Sequence, residues 1–188
     1  MNTQLLVKES AEQALKALED GILHHRNYGT IRKMVYHMHE PLLQSVGYWG
    51  FLWDFIPLEL RSDDPTEYSP AEIAIVRACQ LYAFHQSSYP QKKVLTDDDI
   101  SYPARLKSVN YRIRRTNVTL KFNTALTTKN LDIVFDAVVY LIKLSKGDFR
   151  ANYSSLAVDF YNMDANVILL NECMHEEDAF ERWFFAFN

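Results

Sequence analysis

Seven basic residues, Arg105, Lys107, Arg112, Arg114, Arg115, Lys121 and Lys129, stand between Asp99 and Asp132 with no acid among them. Guanidinium and ammonium groups at this density pair with phosphate oxygens and release the counterions condensed on a polyanion, whatever its base sequence. Wound as a helix at about 100° per residue, Leu106, Val109 and Ile113 make one apolar stripe at spacings of three and four. Arg105 and Arg112 flank that stripe on one side, Lys107 and Arg114 on the other, and Arg115 points away from it. The spacing predicts a helix over roughly 102–115 that docks by its apolar side and fans its cations outward. The same pattern suits an ordinary solvated helix face balanced by acids elsewhere.

The charge distribution bears on that choice. Residues 1–100 hold 9 basic and 14 acidic side chains, 101–150 hold 10 and 3, and 151–188 hold 1 and 7. The chain is net −4, but its middle is net +7 between acidic ends. A surface potential depends on charge within about 10 Å at 0.1 M salt, so a polyanion can bind the middle while the ends repel it.

Other chemistry is thinner. His24-His25, His37 with His39, His85, and Cys173 with His175 form no paired Cys/His zinc pattern, so no metal is expected. His85 is expected at the end of a buried helix with one ring nitrogen hydrogen-bonded. Cys79 and Cys173 read as reduced core residues. Asp97, Asp98 and Asp99 suggest a magnesium-holding cluster for a nuclease, but three adjacent acids converge poorly on one ion, and charge at a helix N-terminus explains them more simply. There is no Gly-rich phosphate loop and no nucleophile elbow. Neither an enzyme nor a cofactor is expected.

The elements that would position these residues are helical. Glycine is scarce and Val/Thr alternation is missing, which favours an all-α protein of about eight to ten helices. Residues 3–20 predict a first helix with Leu5, Leu6, Ala11, Ala14, Leu15 and Leu18 inward and Gly21 as its stop. Thr30 is expected to cap a short helix through Tyr36, and the aromatic run Tyr48, Trp49, Phe51, Trp53, Phe55 to pack in the core. Ser69, Pro70 and Glu72 form a capping-box start for a helix apolar nearly all round. Residues 91–99, QKKVLTDDD, read as a linker between lobes 1–95 and 96–188. After the basic helix come Thr116-Asn117 as a capping turn and a short helix with Leu120, Phe122 and Leu126 inward. Then follow a long helix capped by Asn130 and closed by Gly147, and helices near 153–162, 164–173 and 177–187. No signal peptide or membrane span is expected, which points to the cytoplasm.

Several short stretches fall in an order of their own. Ile31-Arg32-Lys33 follows the first helix, and residues 78–86, ACQLYAFHQ, close the buried one. SYPARL at 101–106, KFNTAL at 121–126, VVYLIK at 138–143 and YSSLAVDF at 153–160 come next, with Arg182-Trp183 near the end. The first pair resembles the Leu-Arg-Arg signature and the Ala-x-His-Gln helix end of the CasB family, the small subunit of the type I-E CRISPR Cascade complex. The middle stretches are similar to that family's Ser-Leu-Gly-x-Ala-Leu, Arg-Phe-x-x-Leu-Leu and Leu-Val-x-Leu-Leu-Lys elements. The last resemble its Asp-Trp-x-x-Leu-x-x-Asp-Leu run and final helix. Pro103 stands where the family has glycine, and the closing helix keeps only Arg182 of the usual basic residues.

The resemblance implies a two-lobed, non-catalytic helical subunit. Two copies would lie head to tail beside the backbone and large subunits, steadying the guide RNA–target DNA hybrid and the displaced single strand. Arg105, Lys107, Arg112, Arg114, Arg115 and Lys121 are then the leading phosphate contacts, with Arg32 and Lys33 in the first lobe and Lys143 and Arg150 next; Tyr111 is either a stacking partner for bases or a plain surface tyrosine. Lys92 and Lys93 are expected to be neutralised by the neighbouring aspartates. A purely structural protein–protein scaffold remains the alternative, and a nuclease built on the aspartates a third.

Overall fold

Ser69, Pro70 and Glu72 start the helix around which the chain is built. Ser69 accepts from the backbone of Glu72, and the Glu72 carboxylate accepts from Ser69 N–H at 2.7 Å, so two helix-end donors are satisfied reciprocally. The computed structural model describes the chain except residues 1, 26–27, 41–48, 65, 91–92, 99, 114–115, 146–148, 166–167 and 171–175. For 23–25, 49, 110–113, 116–118, 168–170 and 176–177 it describes the backbone alone.

Among the described residues the chain is all-α apart from one small ribbon. The helices are α1 (Thr3–His25), α2 (Gly29–Tyr36), α3 (Trp49–Trp53), α4 (Pro70–Ser88), α5 (Tyr102–Ile113), α6 (Thr116–Thr127), α7 (Leu131–Ser145), α8 (Tyr153–Asp164) and α9 (Ala179–Phe187). Helix α4 is the buried centre, as its all-round apolar sequence predicts. It packs against α1, α2, α7 and α8. Helix α8 crosses the expected lobe boundary to lie on α1 and α4, and one continuous cluster of buried side chains draws on both halves of the sequence. A second group of contacts joins α5 and α6 both to α7 and to α9, and α9 also to α8. There Trp183 is the hub: its ring lies about 6 Å from those of Tyr102, Phe122 and Phe160, and its indole N–H donates to Asp159 at 2.9 Å.

Several sequence expectations are corrected. Helix α1 runs through Gly21, because Ile22 extends the buried stripe of Val7, Ala11, Ala14, Leu15 and Leu18. Leu5 falls on the opposite side of that stripe and is 50% exposed. Thr30 lies inside α2, whose N-cap position is Tyr28 with no side-chain cap bond. In the aromatic run, Leu52 and Ile56 are the buried residues, while Phe51, Trp53 and Phe55 are half-buried; Tyr48 lies outside the described residues, as does the side chain of Trp49. Thr116 and Asn117 belong to α6, and Leu120, about half a turn from the buried Phe122 and Leu126, is 69% exposed. Asn130 does cap α7, accepting from Ile133 N–H at 3.2 Å; Gly147 lies outside the described residues. The helix expected over 164–173 does not form. Ile168–Leu170 is a strand paired antiparallel with Glu176–Asp178. Asp178 explains part of this: as N-cap of α9 it holds an extended backbone and accepts from Glu181 N–H, so the chain entering α9 is already strand-like.

The polar stretch read as a linker is stitched down. Val94 and Leu95 are buried, Ala151 N–H donates to Val94 O at 2.9 Å, and Thr96 N–H donates to Ala151 O at 3.2 Å. Removing a working cap costs about 1 kcal/mol. Ser69→Ala should therefore lower unfolding free energy by about that amount in a urea titration. Thr30→Ala, at a position the sequence also marks as a cap, should change it little, and an equal loss at both would contradict the helix starts described.

Candidate nucleic-acid interface

The helix that carries the basic block docks as its stripe predicts: Leu106 and Val109 are fully buried, and α5 packs on α7 and α9. The side chains of Tyr111, Arg112 and Ile113 lie outside the described ones, as do Arg114 and Arg115 altogether. Lys107 is exposed on α5. Arg105 is different. Its guanidinium is bonded to the Asp98 carboxylate and mostly covered. Asp98 also accepts from Ile100 N–H at 3.3 Å. Burial pushes the Asp98 carboxyl up, but the Arg105 guanidinium and these hydrogen bonds outweigh it and hold it below the usual carboxylate range. One of the three aspartates thus quenches one of the expected phosphate contacts.

The remaining expected contacts share a property. Arg32, Lys33, Lys107, Lys121, Lys143 and Arg150 are all exposed, and none of them forms an ion pair among the described residues. Most other described cations are paired: Lys16 with Glu12, Arg77 with Asp132, Lys93 with Glu19 rather than with the aspartates beside it, Arg182 with Asp159 and, within the basic block, Lys129 with Asp178. Lys8 forms no ion pair among the described residues, and Lys92 lies outside them.

Two of the exposed cations lie over aromatic rings on neighbouring helices. Lys121 on α6 sets its ammonium 4.4 Å from the centroid of the Tyr140 ring on α7. One turn further along α7, Lys143 sits 5.5 Å over Phe84 at the end of α4. Lys107, Arg150 and the α2 pair Arg32 and Lys33 are not joined to this strip by any contact among the described residues. Sequence reasoning passed over Tyr140 as part of an apolar helix, yet the signal was present: Asp132, Asp136, Tyr140 and Lys143 recur at four, four and three, and all are exposed.

The other chemical candidates resolve as structure. His85 is fully buried, bonded through Nδ1 to the Tyr153 hydroxyl at 2.6 Å and stacked on Phe149. Burial pushes the Cys79 thiol up to about 12, which keeps it protonated and unreactive. Among the described residues no three His, Cys, Asp or Glu side chains are grouped to hold a metal ion, and no helix is long and apolar enough to cross a membrane.

Fold and site together define a class, an all-α protein with a dispersed set of exposed cations on an otherwise acidic chain. Comparison with protein families matches residues 30–187 to CRISPR-associated protein Cse2. No curated protein and no solved structure matches the chain. The family match spans most of the sequence, and the chain belongs to the Cse2 family, the structural small subunit of the type I-E Cascade complex, which works among other subunits.

The Asp98–Arg105 pair sets a pH dependence. Because the folded-state pKa of Asp98 is depressed, its contribution is present above the ordinary carboxylate pKa of about 3.9 and is lost as pH falls through the lower folded value. Asp98→Asn should be less stable than the parent at neutral pH, with the gap closing under acid. Unfolding titrations that show the same gap at neutral and strongly acidic pH would contradict the pairing.

Proposed function

We propose that this chain steadies nucleic acid inside the RNA-guided complex, without catalysis, by holding phosphate along its exposed cations. The observation that supports the reading most directly is the division of the cations. Among the described side chains, Lys107, Lys121, Lys143 and Arg150 of the net +7 segment and Arg32 and Lys33 of α2 form no ion pair, although Arg105 and Lys129 of that segment do, whereas Lys16, Arg77, Lys93 and Arg182 elsewhere are neutralised in place. An exposed cation with no internal partner has full charge to offer a phosphate. A paired one must first break its pair.

The physics of the task suits such a surface. In RNA-guided recognition base pairing supplies the specificity, and exchange of a DNA duplex for an RNA–DNA hybrid is nearly balanced in energy. A few sequence-independent phosphate contacts are then enough to tip it. In this reading the ligands are the guide RNA–target DNA hybrid and the displaced strand. Two copies, each with lobes 1–95 and 96–188, lie head to tail against the backbone and large subunits in the cytoplasm. Lys107, Lys121, Lys143, Arg150, Arg32 and Lys33 make the contacts, joined by Arg112, Arg114 and Arg115. Arg105 contributes only where phosphate outcompetes Asp98.

A second reading has an observation of its own. Leu126, Phe180, Phe184 and Phe185 line a groove of about 400 Å³ between α6 and α9, and Phe185 is 67% exposed, as suits a scaffold that docks protein partners. Target-DNA affinity of a guide-loaded complex lacking this chain, with and without add-back, separates the two. Add-back should tighten binding. Lys107→Glu with Lys121→Glu, or Arg112→Glu with Arg115→Glu, should incorporate normally yet lose the gain, and the salt dependence should shallow by about one unit per contact removed. Stable incorporation with unchanged affinity would favour the scaffold.

A further inference from the structure

The strip formed by Lys121, Tyr140, Lys143 and Phe84 has a composition that plain phosphate binding does not require. Tyr140 is 36% exposed on the polar stripe of α7 and presents its ring to Lys121 rather than to the core. Lys143 follows three residues later on the same stripe, over the half-buried ring of Phe84. The helices that meet here carry few acids: α6 has none, α4 has none after Glu72, and α7 has none after Asp136, which lies one turn before Tyr140 and faces His39 at 3.4 Å. An aromatic face thus lies between two exposed ammonium groups, with the nearest carboxylate of these helices, Asp136, one turn away beside His39.

We infer that Tyr140 is a stacking platform for an unpaired base of a single-stranded nucleic acid, with Lys121 and Lys143 taking the phosphates on either side. The inference rests on the nucleic-acid reading above and narrows its ligand to unpaired strand at this strip. Stacking on an aromatic face suits every base, so the strip needs no sequence readout. Lys121 covers the ring when no strand is bound. A phosphate draws the flexible ammonium away, and the face it leaves is open to a base, which stacks more strongly on the ring than an exposed ammonium does. A duplex gains nothing from Tyr140, because its bases already stack on one another. It meets only the lysines.

The test uses the full chain with an oligothymidylate of about 20 nucleotides, longer than one typical stacking site, and a duplex of the same length. Tyr140→Leu should weaken single-strand binding by about tenfold while leaving duplex affinity and the salt slope unchanged. Tyr140→Phe, which keeps the ring, should bind the single strand as the parent does. Lys121→Ala should weaken both ligands and lower the salt slope by about one. A 5-iodouridine in the oligonucleotide should cross-link to the peptide containing Tyr140. Parent-like single-strand binding by a folded Tyr140→Leu, with the cross-link elsewhere, would overturn this inference and leave the phosphate reading standing. Loss of affinity for an acidic partner subunit alone would reassign the strip to protein contact and overturn it too. Failure of the chain and of the guide-loaded complex to bind either nucleic acid any better than the complex lacking it would overturn both readings.

Discussion

A helix buried on every side must find partners for whatever polar groups it carries, and α4 buries Glu72, Arg77, Gln80, His85 and Gln86. Each left unsatisfied would cost about 1–3 kcal/mol, more where charged. Their partners come from across the chain. Glu72 accepts from Ser62 and Ser69 N–H, fixing the turn before the helix. Arg77, only 7% exposed, donates to Met38 O just beyond α2, to Gln80 and to Asp132 on α7, and its guanidinium lies 4.5 Å from the Phe135 ring centroid. His85 is held by Tyr153 on α8. Meeting the hydrogen-bonding needs of one helix therefore positions three others. Two of those, α2 and α7, carry Arg32, Lys33 and Lys143. Arg77 is buried and loses acceptors if either neighbouring segment slips, which ties the registers of α2 and α7 to it.

Legibility in the sequence followed the range of the interactions concerned. The capping box at Ser69, the cap at Asn130 and the stripe of Leu106 and Val109 are set by residues within four positions of each other, and a linear reading finds them. Where burial by distant elements decides, the same reading errs. Gly21 is overridden because Ile22 is wanted in the core, and Leu5 and Leu120 look inward by type while lying on the wrong side of their helices. The ribbon at 168–170 and 176–178 escaped because a short apolar run fits a strand or a helix equally well, and the decision falls to the extended Asp178 cap.

The candidate site shows the same division. Type and local charge pointed to the exposed lysines and arginines, but which cations were already spent was invisible until Asp98 met Arg105 and Asp178 met Lys129. The strip around Tyr140 joins three helices and depends on α6 and α7 forming a tight hairpin, turned at Thr128–Asn130 with Lys129 in the left-handed region at φ 50°. Lys121 and Tyr140, nineteen positions apart in sequence, meet only because of that turn.

The packing of α8 on α1 has a consequence for how the chain is made. Gln4 donates to Asn162 across 158 residues, and the apolar stripe of α1 lies in the same inter-helix region. On a ribosome working at about 5–20 residues per second, the first helix emerges roughly ten to thirty seconds before the helix that covers it. During that interval the part of the Val7, Ala11, Leu15 and Leu18 seam that α4 does not cover stays open to chaperones and proteases alike. Vectorial synthesis therefore leaves this side of the core open until α8 has emerged.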